Sequence, residues 1–192
     1  MSLSGYRPRV AFQGEPGAFS EEAAFKLLGT EIELIPCQDF SELFRSPDEG
    51  VADYILAPIE NTLIGPIHAA VTLLADTSLT KVGEIVIRIG QHLIGCPGAI
   101  FEDLEAVESH PAALAQCKRF FAEHPHLVQV KTEDTAGSVA RLIRSGDRKR
   151  AAIAGRRAAE LYGGAILKEN IEDSPENYTR FLLLQTNEVN KS

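Results

Sequence analysis

Short apolar runs alternate along the chain with stretches in which apolar positions recur at helical spacing. The first pattern reads as buried strands and the second as helices. It predicts a strand over residues 9–13, a helix over 19–28 stopped by Gly29, and a strand over 32–36. Asp39-Phe40-Ser41-Glu42 has capping-box spacing and opens a short helix. A strand over 53–59 and a helix over 66–75 follow, with Pro66 suited to a first helical turn. Residues 81–89 set Val82, Glu84, Val86 and Arg88 against Gly83, Ile85, Ile87 and Ile89, which is a long half-buried strand. The second half predicts strands over 104–108, 127–131 and 151–154 and helices over 111–122 and 156–162, the latter stopped by Gly163-Gly164. A helix opened by Asp134 or Thr135 carries Val139, Leu142 and Ile143. A return begins at 165–167, and the last strand runs over 179–184.

Alternation of this kind predicts an α/β fold with mixed, mostly parallel sheet flanked by helices. Two such blocks imply two lobes, the first of residues 1–84 with 168–192 and the second of residues 85–167. A chain that crosses twice between lobes is expected to leave a cleft, the usual place for a small ligand.

Charge and cysteine content narrow the partners. The formal net charge is −8, which speaks against nucleic acid as a partner, since that needs basic patches. No apolar stretch is long enough to span a bilayer, so no membrane partner is expected. Met1-Ser2-Leu3-Ser4-Gly5 lacks the charged and apolar regions of a secretory leader. The three cysteines, Cys37, Cys96 and Cys117, have the spacing of neither a zinc knuckle nor a redox pair. Reduced thiols in a cytoplasmic protein are the expectation. His124-Pro125-His126 has no third ligand nearby and reads as an exposed loop, so no metal is assigned.

Polar clusters fall at the predicted strand-to-helix junctions. Asn177-Tyr178-Thr179-Arg180-Phe181 runs into Leu182-Leu183-Leu184, so hydrogen-bonding groups stand at the mouth of a buried strand. Such groups cost stability unless they find partners or a ligand. Gly14-Glu15-Pro16-Gly17-Ala18-Phe19-Ser20 reads as amides gathered for an anion at a helix start, or as a tight turn capped by Ser20. Pro58-Ile59-Glu60-Asn61-Thr62 offers a carboxylate, an amide and a hydroxyl, or an Asx-turn at Asn61. Ser109-His110-Pro111 is a helix start and not a nucleophile–base pair, because neighbours in sequence do not form that bond and no nucleophile elbow is present. Gln116 and Cys117 lie on the helix that follows, and Asp134-Thr135-Ala136 opens another.

Taken in order, these pieces resemble the prephenate dehydratase family, with Val82-Gly83-Glu84, Leu114-Ala115-Gln116-Cys117 and Ala151-Ala152-Ile153-Ala154 completing the set. The resemblance covers residues 9–184, and its weight lies in the collinear order of the pieces. Ala18 stands where the family often has threonine, and Ala112 where it often has glutamine. The resemblance implies two lobes of the type II periplasmic-binding-protein kind with the site between them, and a homodimer or higher homo-oligomer. It implies a C-terminal ACT domain too, for which a chain ending at Ser192 is too short. The implied reaction removes carbon dioxide and water from prephenate to give phenylpyruvate, in phenylalanine biosynthesis. Arogenate dehydratase chemistry and a non-catalytic small-molecule-binding module are the alternatives. Aromatisation drives the reaction, so no cofactor, metal or covalent intermediate is implied.

The resemblance also distributes roles. Thr179 donates to the departing hydroxyl; Asn61 and Gln116 fix substrate oxygens; Glu60 orients its loop. Ser109, Thr62, the segment Ala18-Phe19-Ser20 and the pair Thr135-Ala136 are placed around the substrate carboxylates, with Asn177 and Phe181 lining the site. Arg180 is the candidate counter-charge. Adjacent strand residues point to opposite faces, so its place beside Thr179 stays open.

Overall fold

Arg9-Val10-Ala11-Phe12-Gln13 supplies a strand whose three central residues are fully buried. The structure, a computed structural model, describes residues 6–186; the segment of residues 1–5, which lacks the marks of a leader, lies outside them. The chain divides into two units, each with its own sheet. The first contains Ser20–Arg88 with the described residues up to Gly14 and from Tyr178 onward; the second contains Glu15–Phe19 and Ile89–Asn177. These limits differ from the expected 84/85 and 167/168. The long strand pairs with the last one as far as Arg88, and Asn177 bonds back to Ile89, so the ladders set the boundary.

In the first unit, β1 (Arg9–Gln13), β2 (Glu33–Cys37), β3 (Tyr54–Asn61), the two-residue β4 (Gly65–Pro66), β5 (Thr80–Arg88) and β11 (Tyr178–Gln185) form one sheet in the order β2-β1-β3-β11-β5, with β4 on β3. Helices α1 (Phe19–Leu28), α2 (Phe40–Arg45) and α3 (His68–Asp76) accompany it. Asp39 caps α2 by accepting from the Glu42 amide at 2.8 Å, and Glu42 accepts in return from the Gln38 amide at 2.6 Å. Pro66 lies in β4 and not in a helical turn, because it stands opposite Glu60 in the antiparallel ladder with β3. Leu43, Phe44, Ile55, Ala57, Ile59, Leu182 and Leu184 pack as a core on one sheet face. Each of the leucine, isoleucine and phenylalanine side chains contributes about 1.5–3 kcal/mol when fully buried.

In the second unit the sheet order is β10-β6-β9-β7-β8, from β6 (His92–Gly95), β7 (Ala106–Ser109), β8 (Val128–Lys131), β9 (Arg150–Ala154) and β10 (Ala165–Lys168). Helices α4 (Pro111–Ala115), α5 (Lys118–Glu123), α6 (Ala136–Ser145) and α7 (Arg156–Tyr162) flank it. Both faces are covered. Leu93, Ala151 and Ile153 join one core, while Ile94, Ala152 and Ala154 join the other. That is the period-two alternation of strands buried on both sides. Both sheets are mixed. Their antiparallel share exceeds what strand–helix alternation implies, because β5, β6, β10 and β11 enter antiparallel ladders. Among the described residues no helix is long and apolar enough to cross a membrane.

Remote ion pairing ties the first unit's edge. Asp53 Oδ2 accepts from the Arg9 amide at 2.7 Å and its Oδ1 from the guanidinium at 3.0 Å. Burial pushes its carboxyl upward, but the bonds from Arg9 and Tyr6 outweigh it and hold the group at about 2. The folded value lies below the unfolded one of about 3.9, so the stabilisation is complete above that pH and is lost as pH falls through about 2. Asp53→Asn is expected to cost about 1 kcal/mol near pH 7, discounted because the pair is partly solvated. Melting curves of the two proteins, well separated at pH 7, should converge by pH 2; a gap that stays constant with pH would show that the carboxylate charge contributes nothing.

Candidate active site

The first polar cluster lies where β3 and β11 end together. Asn61 and Thr179 are cross-strand partners, 4% and 7% exposed. Asn61 Nδ2 donates to Thr179 Oγ1 at 2.9 Å. Its Oδ1 accepts from the Leu63 amide at 2.9 Å and the Ile64 amide at 3.2 Å, which is an Asx-turn. The Asx-turn reading holds, and the turn fixes the orientation in which the Asn61 amide meets Thr179. Thr62 closes the ladder: its amide donates to the Tyr178 carbonyl and its Oγ1 accepts from the Tyr178 amide, each at 2.9 Å. It thus holds the register of the pair. The ladder between β3 and β11 is irregular between Arg180 and Phe181, a device that re-aims side chains next to functional sites.

Arg180 and Glu60 form the adjacent cross-strand pair, bonded at 3.2 Å and half exposed. By strand alternation they point to the face opposite Thr179. The place left open for Arg180 is therefore beside Glu60: each neutralises the other away from the Asn61–Thr179 pair. Phe181 is 2% exposed and serves as core.

The second cluster belongs to the second unit. The sequence predicts one helix over residues 111–122; the structure breaks it into α4 and α5 at Gln116 and Cys117. Asp173 causes the break. Its carboxylate accepts from the Lys118 and Arg119 amides at 3.0 and 2.8 Å, and its own amide donates to the Gln116 carbonyl. Gln116 is released to turn its Oε1 toward Asn177 Nδ2 at 2.9 Å and Gln91 Nε2 at 3.2 Å. Asn177 is fully buried. Cys117, beside this break, is a free thiol pushed up to about 12 by burial, with Asp173 and Glu172 adding to it.

Other expected site residues are placed differently. Ser109 is fully buried and donates to the Ile153 carbonyl at 2.6 Å, so its proton is committed to the sheet. Asp134 caps α6 through the Gly137 amide, which puts a carboxylate where Thr135 and Ala136 were expected to receive one from substrate. Ala18 packs against the core that contains Ala158, and Tyr162 Oη donates to the Pro16 carbonyl at 2.7 Å. A Cβ at Gly155 would lie 2.8 Å from the Phe19 ring, so Phe19 is a packing residue. Ser20 is buried in the first turn of α1. Ala112, at the position departing from the family pattern, is half-buried and donates its amide to His110 Nδ1 at 3.1 Å. The sequence reading passed over Gln91 and Asp173. Gln91 stands before His92-Leu93-Ile94, a polar group at the mouth of a buried strand, the same signal that marks Thr179.

What the two clusters share is uncharged amides, to which the first adds the hydroxyls of Thr62 and Thr179, and among the described residues no group of side chains is arranged to hold a metal. Comparison with known proteins decides what this arrangement belongs to. A family model described as prephenate dehydratase matches residues 10–189. The chain belongs to the prephenate dehydratase family. Arogenate dehydratase 1 of Petunia hybrida is 40% identical over 183 residues, 95% of this chain and 43% of the relative. The bifunctional chorismate mutase/prephenate dehydratase of Neisseria gonorrhoeae is 35% identical over 184 residues, 95% and 51% respectively. The chain thus spans about half the length of the curated relatives it matches. A prephenate dehydratase from Arthrobacter aurescens, solved in complex with L-Phe, superposes with a TM-score of 0.85 at 30% identity, over 93% of this chain and 60% of that one. A quorum quenching acylase, GqqA, superposes with a TM-score of 0.82 at 35% identity, over 93% and 64%. The lipoprotein Tp32 of Treponema pallidum, at 13% identity and a TM-score of 0.51 over 93% of this chain and 83% of that one, shares the fold alone.

Proposed function

We propose that this chain carries out the decarboxylating dehydration of prephenate to phenylpyruvate, carbon dioxide and water. The observation that supports it most is the buried Asn61–Thr179 pair. Asn61 fills a lone pair of Thr179 Oγ1, so the hydroxyl proton is left to be given away. In the reaction the ring carboxylate departs as carbon dioxide, and its bonding electrons enter the ring. The C–O bond on the opposite carbon breaks, and the leaving oxygen takes a proton to become water. Thr179 is the hydrogen-bond donor to that oxygen, and a relay through solvent replaces its proton. Threonine is a poor acid, so orientation and not acidity is its contribution. Gln116 is the amide that the family resemblance assigns to a substrate oxygen, and the fully buried Asn177 donates to it.

A second reading, arogenate as substrate, is supported by the name of the Petunia relative. The reading carries a cytoplasmic location with it, which three free, buried cysteines suit, and the homodimer implied by the family resemblance. Sedimentation tests the dimer.

The deciding experiment offers the purified protein prephenate and arogenate in parallel. Phenylpyruvate is followed by its absorbance in alkali and phenylalanine by chromatography. Prephenate turned over well above its spontaneous decay is the expected result. Preference for arogenate would transfer the assignment, and binding of both without turnover would mark a small-molecule-binding module instead.

A further inference from the structure

Gln91 is 3% exposed, and its backbone is fixed from both sides. Its amide donates to Glu172 Oε2 at 2.9 Å and its carbonyl accepts from the Ile171 amide at 2.9 Å. Its side chain and that of Asn177 both donate to Gln116 Oε1. A carbonyl oxygen has two lone pairs, and both are taken. Turning the Gln116 amide over would set its NH2 group against two other NH2 groups, unless Gln91 and Asn177 turned with it. That concerted turn would put the Gln91 NH2 where its Oε1 now lies, a buried position to which no donor among the described residues points. As the hydrogen bonds stand, Gln116 Oε1 is the common acceptor of both neighbours and its Nε2 donates to neither.

We propose that Gln91 is a positioning residue: with Asn177 it locks Gln116 so that the Nε2 N–H pair, and not the carbonyl, is offered to substrate. The group recognised there is an oxygen acceptor, carboxylate or carbonyl, and an ammonium is disfavoured. This deepens the proposed function and rests on it for the identity of the substrate. The orientation of Gln116 does not depend on that identity.

The test uses Gln91→Met, which keeps the side-chain length and removes the donor, and Gln91→Glu, whose carboxylate accepts from Gln116 Nε2 and, with Asn177 turning as well, directs the Gln116 carbonyl outward. Each is made alone and with Gln116→Met. Proton exchange of the side-chain amides, assigned by their loss in the variants, reads orientation without any ligand. The Gln91 NH2 pair should exchange at least about tenfold slower than that of free glutamine, and the Gln116 pair should be unprotected. With prephenate, Gln91→Met should raise KM roughly three- to tenfold with kcat within about twofold, and Gln91→Glu should raise it further. Neither should change KM once Gln116 is methionine, because the two act as one unit. A protected Gln116 pair, an unchanged KM in Gln91→Met, or a KM effect that persists with Gln116→Met would overturn the assignment. Wild-type protein that turns over nothing would reject the substrate reading, and the exchange rates would still decide the role of Gln91.

Discussion

Thr179→Ala is expected to lower kcat for prephenate by about 10²–10⁴-fold, the scale of general-acid assistance, while KM changes little. The alanine removes the one hydroxyl of the Asn61–Thr179 pair and with it the donor to the departing oxygen. It also leaves the Asn61 amide without its acceptor at a buried position, which costs about 1–3 kcal/mol. The loss in rate and the loss in stability must be separated. Thr179→Ser keeps the hydroxyl and drops only a methyl group, so it should retain kcat within about tenfold, with a stability loss of its own from the missing methyl. Steady-state kinetics beside melting curves make the distinction. If Thr179→Ala turned over prephenate at the wild-type rate, the hydroxyl would have no part in the chemistry.

Asn61→Asp is expected to come close to that loss, about 10²–10³-fold in kcat, by a different route. The carboxylate can still accept from the Leu63 and Ile64 amides, so the Asx-turn survives. It cannot donate to Thr179. The Thr179 proton then turns inward to the carboxylate and is no longer offered to the leaving group. Burying a charge at a position 4% exposed lowers the melting temperature too, so the comparison is made on protein shown to be folded by circular dichroism. Because the two residues act as a unit, Asn61→Asp combined with Thr179→Ala should be scarcely worse than either alone. Multiplicative losses in the double variant would mean that the two side chains work independently, against the hydrogen bond as the working element.

The break at Gln116 shows where reading the chain stops. Residues 111–122 carry helical spacing throughout, and nothing local interrupts it. The interruption is imposed by Asp173, which takes the first amides of α5 from more than fifty positions away in sequence. Arg180 shows the complementary case. Its neighbourhood to Thr179 was plain, and strand alternation already warned that the two could part. Only the pairing of β11 with β3 placed a carboxylate, Glu60, directly opposite it. Of the polar groups expected at helix starts, Asp134 stands at one, whereas Ser109 closes β7. Their partners, the Ile153 carbonyl and the Gly137 amide, make them structural.

Local periodicity, turn residues and the order of the polar junctions determined most of the elements, the alternation that gives two α/β units, and the family. These signals are short-range, since a strand or helix writes its buried face into a handful of consecutive residues. The tertiary structure alone decided which polar side chains are spent on their own fold. That depends on what stands across a ladder or beyond a crossover, and hydrogen-bond partners brought together by folding leave no periodic trace in the chain.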